Sequence, residues 1–433
     1  MDVIGRIREE LVGQGVSREL GALAIAQSIA AFGGGMVIPL LAPLLAGLPD
    51  PLFPATVLGI PVTTELQVGV LFSVFGITRS ILQVPFGRLS DYLGIRRPFL
   101  EAGMLLSAFS LYMYSQAGTV TVLLGVRMLQ GVALSISTPA MFAIVEAVTV
   151  SDTRGGSMGF FSTMRTLGWG MGPIVGGVLT DLFGMIVAFT LGAILTGLSA
   201  VLIHLTVPEP SPSEERDETG EPADEEPDIV PNGGAIRSEP SVLWIFSSRN
   251  QATTLLGLGL ALVTMMMGFS AMVAMENPIL ERIGQTKAGF GLVFAIATIT
   301  RLVVQFPVGI ASDTYGRKRF IVFGLLLSAP LTGLMGFAHT LIEFTVLRGL
   351  LGVALAGVIA PAYALAADVV DEHRSGEQMG VVTTAFSVGF AFGPILSGVV
   401  AFMGFAVPFL LAAAMTVVGA MIVWMMVDDP KFE

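Results

Sequence analysis

The 433-residue chain has no cysteine, only three lysines and three histidines, and few charges of either sign. Without cysteine there is no disulfide bond and no thiolate metal site. The three histidines lie far apart at positions 204, 339 and 373, so metal-binding spacings are missing. A phosphate-binding Gly-x-x-x-x-Gly-Lys loop is also missing, which excludes an ATP-driven motor in this chain. We therefore expect no metal, no cofactor, no catalytic residue and no nucleic-acid partner.

The scarcity of charge points to a membrane protein. Charged residues make up 13% of the chain, hydrophobic residues 53%, and the mean hydropathy is +0.80. Apolar stretches of about 20 residues recur, which is the length that a helix needs to cross a bilayer. The pattern predicts an all-α membrane protein with twelve transmembrane helices: 21–46, 66–87, 98–117, 120–148, 157–180, 185–206, 251–276, 287–310, 319–337, 342–369, 378–401 and 405–427.

An acidic segment divides the spans into two sets of six. Between Val207 and Pro240 there are 11 Asp or Glu and two Arg, with many Pro, Ser and Gly, a composition typical of disordered linkers. We predict a first half over 1–206, a disordered linker over 207–250 and a second half over 251–433. Residues 1–20 lack an apolar core, so they are expected to form an amphipathic helix on the membrane rather than a signal peptide.

The distribution of basic residues predicts the orientation. The ends and loops on the linker side hold 12 Lys or Arg, and the opposite side holds two, Arg282 and Lys287. Because positively charged loops stay in the cytoplasm, we expect a plasma-membrane protein whose two termini and linker lie on the cytoplasmic side.

One motif occurs twice. Gly87-Arg88-Leu89-Ser90-Asp91-Tyr92-Leu93-Gly94-Ile95-Arg96-Arg97 returns 222 residues later as Gly309-Ile310-Ala311-Ser312-Asp313-Thr314-Tyr315-Gly316-Arg317-Lys318-Arg319. From position 77 to 97, ten of the 21 aligned positions are identical. Each copy follows an apolar span and is interpreted as a loop. Two homologous halves of this kind indicate a solute transporter with its site between them.

These loops, with Arg127-Met128-Leu129-Gln130-Gly131 in span 4 and Gly168-x-Gly170-x-Gly172-Pro173-x-x-Gly176-Gly177 in span 5, resemble the major facilitator superfamily, in particular its 12-span proton antiporter branch. The resemblance implies alternating access between two six-helix halves. It also associates the span 5 motif with export. Gly168, Gly172, Pro173, Gly176 and Gly177, repeated in span 11 as Gly393 and Pro394, are expected to kink and pack their helices.

The repeated loops suit a latch at the cytoplasmic side. Their acids can pair with the basic cluster that follows or with the N-terminus of a neighbouring helix, and release as the halves rock. The first latch is expected to be weaker because Ile95 replaces the arginine found at 317. The predicted gating network comprises Gly87, Asp91, Gly94, Arg96, Arg97, Glu146, Arg154, Gly309, Asp313, Gly316, Arg317, Lys318, Asp368 and Arg374.

Charges inside the membrane are costly and mark partners or wet cavities. Arg79 matches Arg301 and Arg127 matches Arg348 between the halves, which suits shared tasks such as gating or bundle assembly. Arg165 is matched by Phe386, so it is a candidate for contact with the solute or a counter-ion, with pairing to a carbonyl or acid as the alternative.

We expect a cavity lined by spans 1, 4, 5, 7, 8, 10 and 11. Gln27, Gln130, Arg127 and Arg165 would be its polar anchors, and Met265-Met266-Met267 and Phe269 an adaptable apolar wall. Glu276 is the candidate proton carrier, since span 1 offers no acid.

The sequence thus predicts a secondary transporter, working as a monomer in the lipid bilayer on a small amphipathic organic solute, with protons or another ion as the coupling partner. Proton-linked export is the first expectation. Import of an organic anion is the alternative that the membrane arginines favour. A sensor that binds without transport is a third.

Overall fold

The computed structural model describes residues 17–49, 56–57, 59–149, 154–209, 249–369 and 375–429. The predicted N-terminal surface helix and linker residues 210–248 fall outside these ranges. So do Arg374 and the side chains of Asp91 and Arg154.

The described residues are almost entirely helical. The helices are α1 (Arg18–Met36), α2 (Leu41–Ala46), α3 (Thr64–Leu93), α4 (Arg97–Tyr114), α5 (Val120–Ala147), α6 (Arg154–Phe183), α7 (Met185–Thr206), α8 (Arg249–Ala274), α9 (Glu276–Ile283), α10 (Lys287–Tyr315), α11 (Arg317–Met335), α12 (Leu341–Val369), α13 (Ser375–Val400) and α14 (Val407–Met426). The 3₁₀ turns Ile38–Leu40 and Ala401–Met403 extend α1 and α13, and β1 (Thr56–Val57) pairs antiparallel with β2 (Ile60–Pro61).

Twelve of these described helices have 18 or more residues and correspond in order to the predicted spans. Ten are long and apolar enough to cross a membrane. The other two are α4, which carries Arg97 and Glu101, and α6, which is rich in glycine. In lipid, helices satisfy their own backbone hydrogen bonds, which explains why apolar length predicts these elements well. The prediction of an all-α, twelve-span fold is confirmed.

Two local predictions were wrong. The repeated motifs are not loops, since α3 continues through Gly87 to Leu93 and α10 continues through Gly309 to Tyr315. Only the motif's second glycine breaks each helix, with φ of 63° at Gly94 and 102° at Gly316, a backbone region that glycine enters at low cost. The second error concerns Glu276, which begins the short helix α9 and does not end span 7.

The helices pack in two sets with the same pattern. In the first, α1 packs on α6 and α7, α4 packs on α5 and α7, and α3 packs on α5; in the second, α8, α11 and α10 repeat these contacts with α12, α13 and α14. We call the end of the bundle where α7 stops and α8 starts the linker end, and the opposite end the far end.

Two seams join the sets. The first seam is α3 against α13, and the second is α6 against α10. Each is a contact between the second span of one set and the fifth span of the other. The seams are therefore related by exchange of the two sets.

Glycines let the helix backbones touch along both seams. A Cβ added at Gly69 would lie 2.8 Å from the carbonyl carbon of Pro394, and one at Gly291 would lie 2.6 Å from that of Pro173. The same correspondence relates Gly398, beside Leu66 of the first seam, to Gly177, beside Ala288 of the second. These contacts lie between the far end and the middle of the bundle, so the far end is closed in this conformation.

Candidate functional site

A cavity of about 270 Å³ lies midway along the bundle, between the two sets of helices. Its wall comes from α1, α3, α4, α5, α6, α7, α8, α10 and α13. The lining residues used below are Gln27, Phe72, Phe75, Arg79, Met104, Arg127, Gln130, Arg165, Trp169, Met266, Phe269, Arg301, Phe386 and Phe390. The described lining thus also draws on spans 2, 3 and 6 and takes nothing from span 10, which corrects the predicted wall.

Four arginines line this cavity, and its described lining contains no Asp or Glu. Arg79 and Arg165 are close enough to repel each other, and Tyr363 lies near both Arg165 and Arg301. The buried Nε atoms of Arg79 and Arg301 have no hydrogen-bond acceptor among the described residues. A guanidinium offers five donors and stays charged in proteins. The cavity therefore holds unused donors and an excess of positive charge.

Arg127 is the most enclosed of the four, at 3% exposure. Its Nη1 donates to Oε1 of Gln130 at 2.8 Å, and the same oxygen accepts from the Tyr114 hydroxyl at 2.8 Å. The guanidinium carbon lies 4.3 Å from the ring centre of Phe72, within cation–π range. Nε and Nη2 have no acceptor among the described residues.

Arg348 repeats this arrangement in the second set. It is 1% exposed and its guanidinium carbon lies 5.4 Å from the ring centre of Phe294, the residue that matches Phe72. It also lies 4.6 Å from the centre of Phe269, and Nε donates to the carbonyl of Val293 at 3.4 Å. Arg348 is behind the cavity wall, where the aromatic rings separate it from the open volume.

The rest of the wall is aromatic. The Trp169 ring centre lies 6.4 Å from that of Phe269, 5.4 Å from that of Phe294 and 6.2 Å from that of Phe390. Met266 lies on the same side, and Gln27 opposite donates from Nε2 to Sδ of Met104 at 3.6 Å. A flat apolar group fits such a wall, because aromatic rings stack at these separations.

The structure brings the four predicted anchors, Gln27, Gln130, Arg127 and Arg165, to one cavity. Of the predicted apolar wall, Met266 and Phe269 face it. Sequence reasoning missed Trp169 and the phenylalanines of α3 and α13. It also placed Arg79 and Arg301 in shared gating or assembly rather than at the cavity. Their match across the halves was the available signal, since a cavity between two equivalent halves is lined from both sides.

Glu276 lies outside the cavity, at the far end. The side chain is fully buried and one carboxylate oxygen is 3.7 Å from Nζ of Lys287.

The predicted charge network lies at the linker end. Nε of Arg317 donates to Asp313 at 2.9 Å, and Nη1 donates to Asp368. Arg97 donates to Glu101 at 2.7 Å and to the carbonyl of His204 at 2.8 Å. The remaining members with described side chains are also here: Nη1 of Arg96 donates to the Ala143 carbonyl, Glu146 lies in the last turn of α5, and Nζ of Lys318 lies over Trp424.

A pair of carboxylates at this end was not predicted. Glu209 accepts from the backbone N–H groups of Arg96 and Arg97 at 2.5 and 2.9 Å, and so caps α4. Asp429 accepts from the N–H of Lys318 at 3.1 Å and caps α11 in the same way. Each acid follows the last span of its set, and an anion at a helix N-terminus is stabilised by the helix dipole.

The profile of the Major Facilitator Superfamily matches residues 23–275 and 256–433. The chain belongs to the Major Facilitator Superfamily. It is 26% identical over 374 residues to an uncharacterized MFS-type transporter of Methanocaldococcus jannaschii, covering 84% of this chain and 90% of that protein. It is 24% identical over 375 residues to the quinolone resistance protein NorA of Staphylococcus aureus, covering 83% and 87%.

Among solved structures, the human organic anion transporter MFSD10 (TETRAN) superposes with a TM-score of 0.67 at 18% identity, covering 94% of this chain and all of that one. This similarity shows the superfamily fold. Together the relatives and the fold identify an integral membrane transporter and not an enzyme.

Proposed function

We propose that this superfamily member transports small amphipathic organic anions, and that it works by alternating access between its two sets of helices. The cationic cavity carries the proposal. Four guanidinium groups face about 270 Å³ of space, and the described lining has no carboxylate to balance them. A carboxylate or phosphate would supply both the missing charge and the missing acceptors.

The apolar half of the solute is suggested by the rings opposite. Trp169, Phe269 and Phe390 form a wall with Met266 beside it, which suits a flat or flexible hydrocarbon group. A solute with an anionic head and an aromatic body would place the head at Arg79, Arg165 and Arg301.

We infer that the protein lies in the plasma membrane and takes its solute up. The basic residues indicate that the linker end is on the cytoplasmic side. An anion that enters against an inside-negative potential costs about 2.3 kcal/mol per 100 mV. A proton that enters with it cancels this cost, so we propose protons as the coupling ion. Both seams and the cavity form within one chain, which supports a functional monomer.

Proton-linked export of a neutral or cationic amphipath is the second candidate. It is supported by the similarity to the quinolone resistance protein over most of both chains. The two candidates differ in the charge that the cavity prefers.

The test uses one ring with three charges: 2-naphthoate, 2-naphthamide and 2-naphthylmethylammonium. Replacing Trp244 and Trp424 by Phe leaves Trp169 as the sole tryptophan, because the chain has three. Quenching of its fluorescence then reports binding in the cavity. We expect naphthoate to bind at least about tenfold more tightly than the other two, since hydrogen bonds to charged groups contribute roughly 1.5–3 kcal/mol. Counterflow of the bound probe in proteoliposomes establishes transport.

Arg165→Gln should weaken naphthoate binding about tenfold or more and leave naphthamide nearly unchanged. Arg88→Gln is the matched control, because it removes one positive charge from an exposed position at the linker end. Tighter binding of the cation than of naphthoate would overturn the anion proposal and make the exporter the working function.

A further inference from the structure

The two seams carry different charges at their far ends. At the second seam, Asp181 of α6 accepts from the backbone N–H of Lys287 at 3.3 Å and from that of Ala288 at 2.9 Å. A carboxylate from one set of helices thereby caps a helix of the other. In the first seam, Phe402 and Glu65 stand at the equivalent positions, and the N–H of Leu66 is bonded within its own segment by Thr63.

The capped helix also meets a buried acid. Glu276 is 0% exposed, and one of its oxygens lies 3.7 Å from Nζ of Lys287. Neither carboxylate oxygen has a hydrogen-bond partner among the described residues. A charged carboxylate without hydrogen bonds costs far more free energy to bury than a neutral carboxyl group does.

Among the described residues that pack on α9, Lys287 is the one charged neighbour of Glu276. The adjoining α2 has the sequence Leu-Ala-Pro-Leu-Leu-Ala, and α8 ends in apolar residues. On α9 itself, Glu281 is exposed, and Arg282 turns to the carbonyl of Ala338 and to His339. Asp181 reaches the same helix end through the backbone of Lys287.

We propose that Glu276 is a proton-binding site that controls opening of the far end, and that Lys287 and Asp181 transmit its charge to the second seam. With Glu276 neutral, the positive charge at the start of α10, from Lys287 and the helix dipole, attracts Asp181 at its two backbone N–H donors, and the seam stays closed. With Glu276 ionised, its carboxylate offsets the charge of Lys287 and requires water, which enters when the halves separate.

The direction of the pH response follows from burial. Loss of hydration raises the pKa of Glu276 to about 8 in the closed form, and the nearby Lys287 lowers it only in part. In the open form, water returns the carboxyl toward its ordinary pKa of about 4.3. The closed form therefore binds more protons between these values. Acid favours closure, and each unit of rising pH favours opening by up to about tenfold in that range.

This inference rests on the proposed function only in requiring that the far end opens and closes. The experiment therefore follows the gate and not the solute. Because the chain has no cysteine, Gln116→Cys and Phe337→Cys place one spin label on each set of helices, both at exposed far-end positions. Double electron–electron resonance then measures the distance between them in nanodiscs at pH 5.5 and 8.5.

We expect the ratio of long to short distances to rise at least about tenfold from pH 5.5 to 8.5. Glu276→Gln should abolish this response and keep the short distance at both values. Glu281→Gln, an exposed acid on the same helix, should leave the response intact. Asp181→Asn should favour the long distance at both values and weaken the pH response, because it removes the carboxylate through which the charge of Glu276 reaches the seam.

A pH response that survives Glu276→Gln would overturn the proposal, as would a parent protein whose distances do not change with pH. If the gate responds as expected but no naphthoate binds, the proposed solute class fails and the proton site stands. If naphthoate binds but the gate does not respond to pH, the proton site fails and the proposed solute class stands.

Discussion

Gly177→Ala should open the far end, because this glycine allows one of the close backbone contacts of the second seam. A Cβ at position 177 would lie 2.6 Å from the carbonyl carbon of Lys287 and 2.8 Å from Cα of Ala288. Carbon atoms at rest are about 3.5–4.0 Å apart, so α6 and α10 must separate by roughly 1 Å. Overpacking of this kind costs about 1–3 kcal/mol.

The cost applies only to the closed form, since the two helices part when the far end opens. The ratio of closed to open molecules should therefore fall by about 5- to 150-fold, at 1.4 kcal/mol per factor of ten. In the parent structure Asp181 accepts from the N–H of Ala288 at 2.9 Å, and the change moves this N–H away from it.

The labelled pair at positions 116 and 337, measured at pH 5.5, reports this ratio. Gly159→Ala is the control on the same helix, since its added Cβ has no atom within 4 Å. Both changes improve helix propensity by about 1 kcal/mol in either conformation, so that effect cancels. An unchanged distance distribution in Gly177→Ala, with Gly159→Ala as its reference, would refute the argument from backbone contact.

Three further outcomes are expected. The midpoint temperature of unfolding in detergent should fall as pH rises from about 5 through 8, because Glu276 has a pKa of about 8 in the folded protein and binds its proton more weakly when the chain is unfolded. Glu276→Gln should remove this dependence of the midpoint on pH. Arg317→Gln should lower stability by about 1–3 kcal/mol, because it leaves two acids without their shared partner, while Arg319→Gln at an exposed site should change little. Glu209→Gln should speed amide exchange in the first turn of α4, with a loss of about 0.5–1 kcal/mol in the cap.

The sequence predicted the helices well because the bilayer imposes one physical requirement on each. A span must be apolar for about 20 residues, and the predicted segment 185–206 coincides with α7. The same requirement does not fix where a helix ends in water. The polar residues of the motif around Gly87 and Asp91 favour a loop, yet the motif continues α3, because polar side chains do not prevent the backbone hydrogen bonds of a helix.

The rotation of each helix about its axis could be predicted only in part. Arg165 was distinguished by its lack of a matching residue, and it does face the cavity. Arg79 has the same cost in lipid, but nothing in its neighbours along the chain shows which side of α3 meets α13. Trp169 gave no signal either, since a tryptophan in a glycine-rich helix is equally compatible with a lipid-facing position.

The relation between the two seams has a consequence for how the chain is assembled. A contact in which element two of one unit meets element five of the other, and the reverse, is an isologous interface, the kind found in twofold homodimers. Gly69 with Pro394 and Gly291 with Pro173 are the two copies of one such contact. The protein thus has the geometry of a dimer whose subunits share a backbone. Because each copy is encoded separately, only one of them needed to acquire the Asp181 carboxylate, which a symmetric dimer would carry twice.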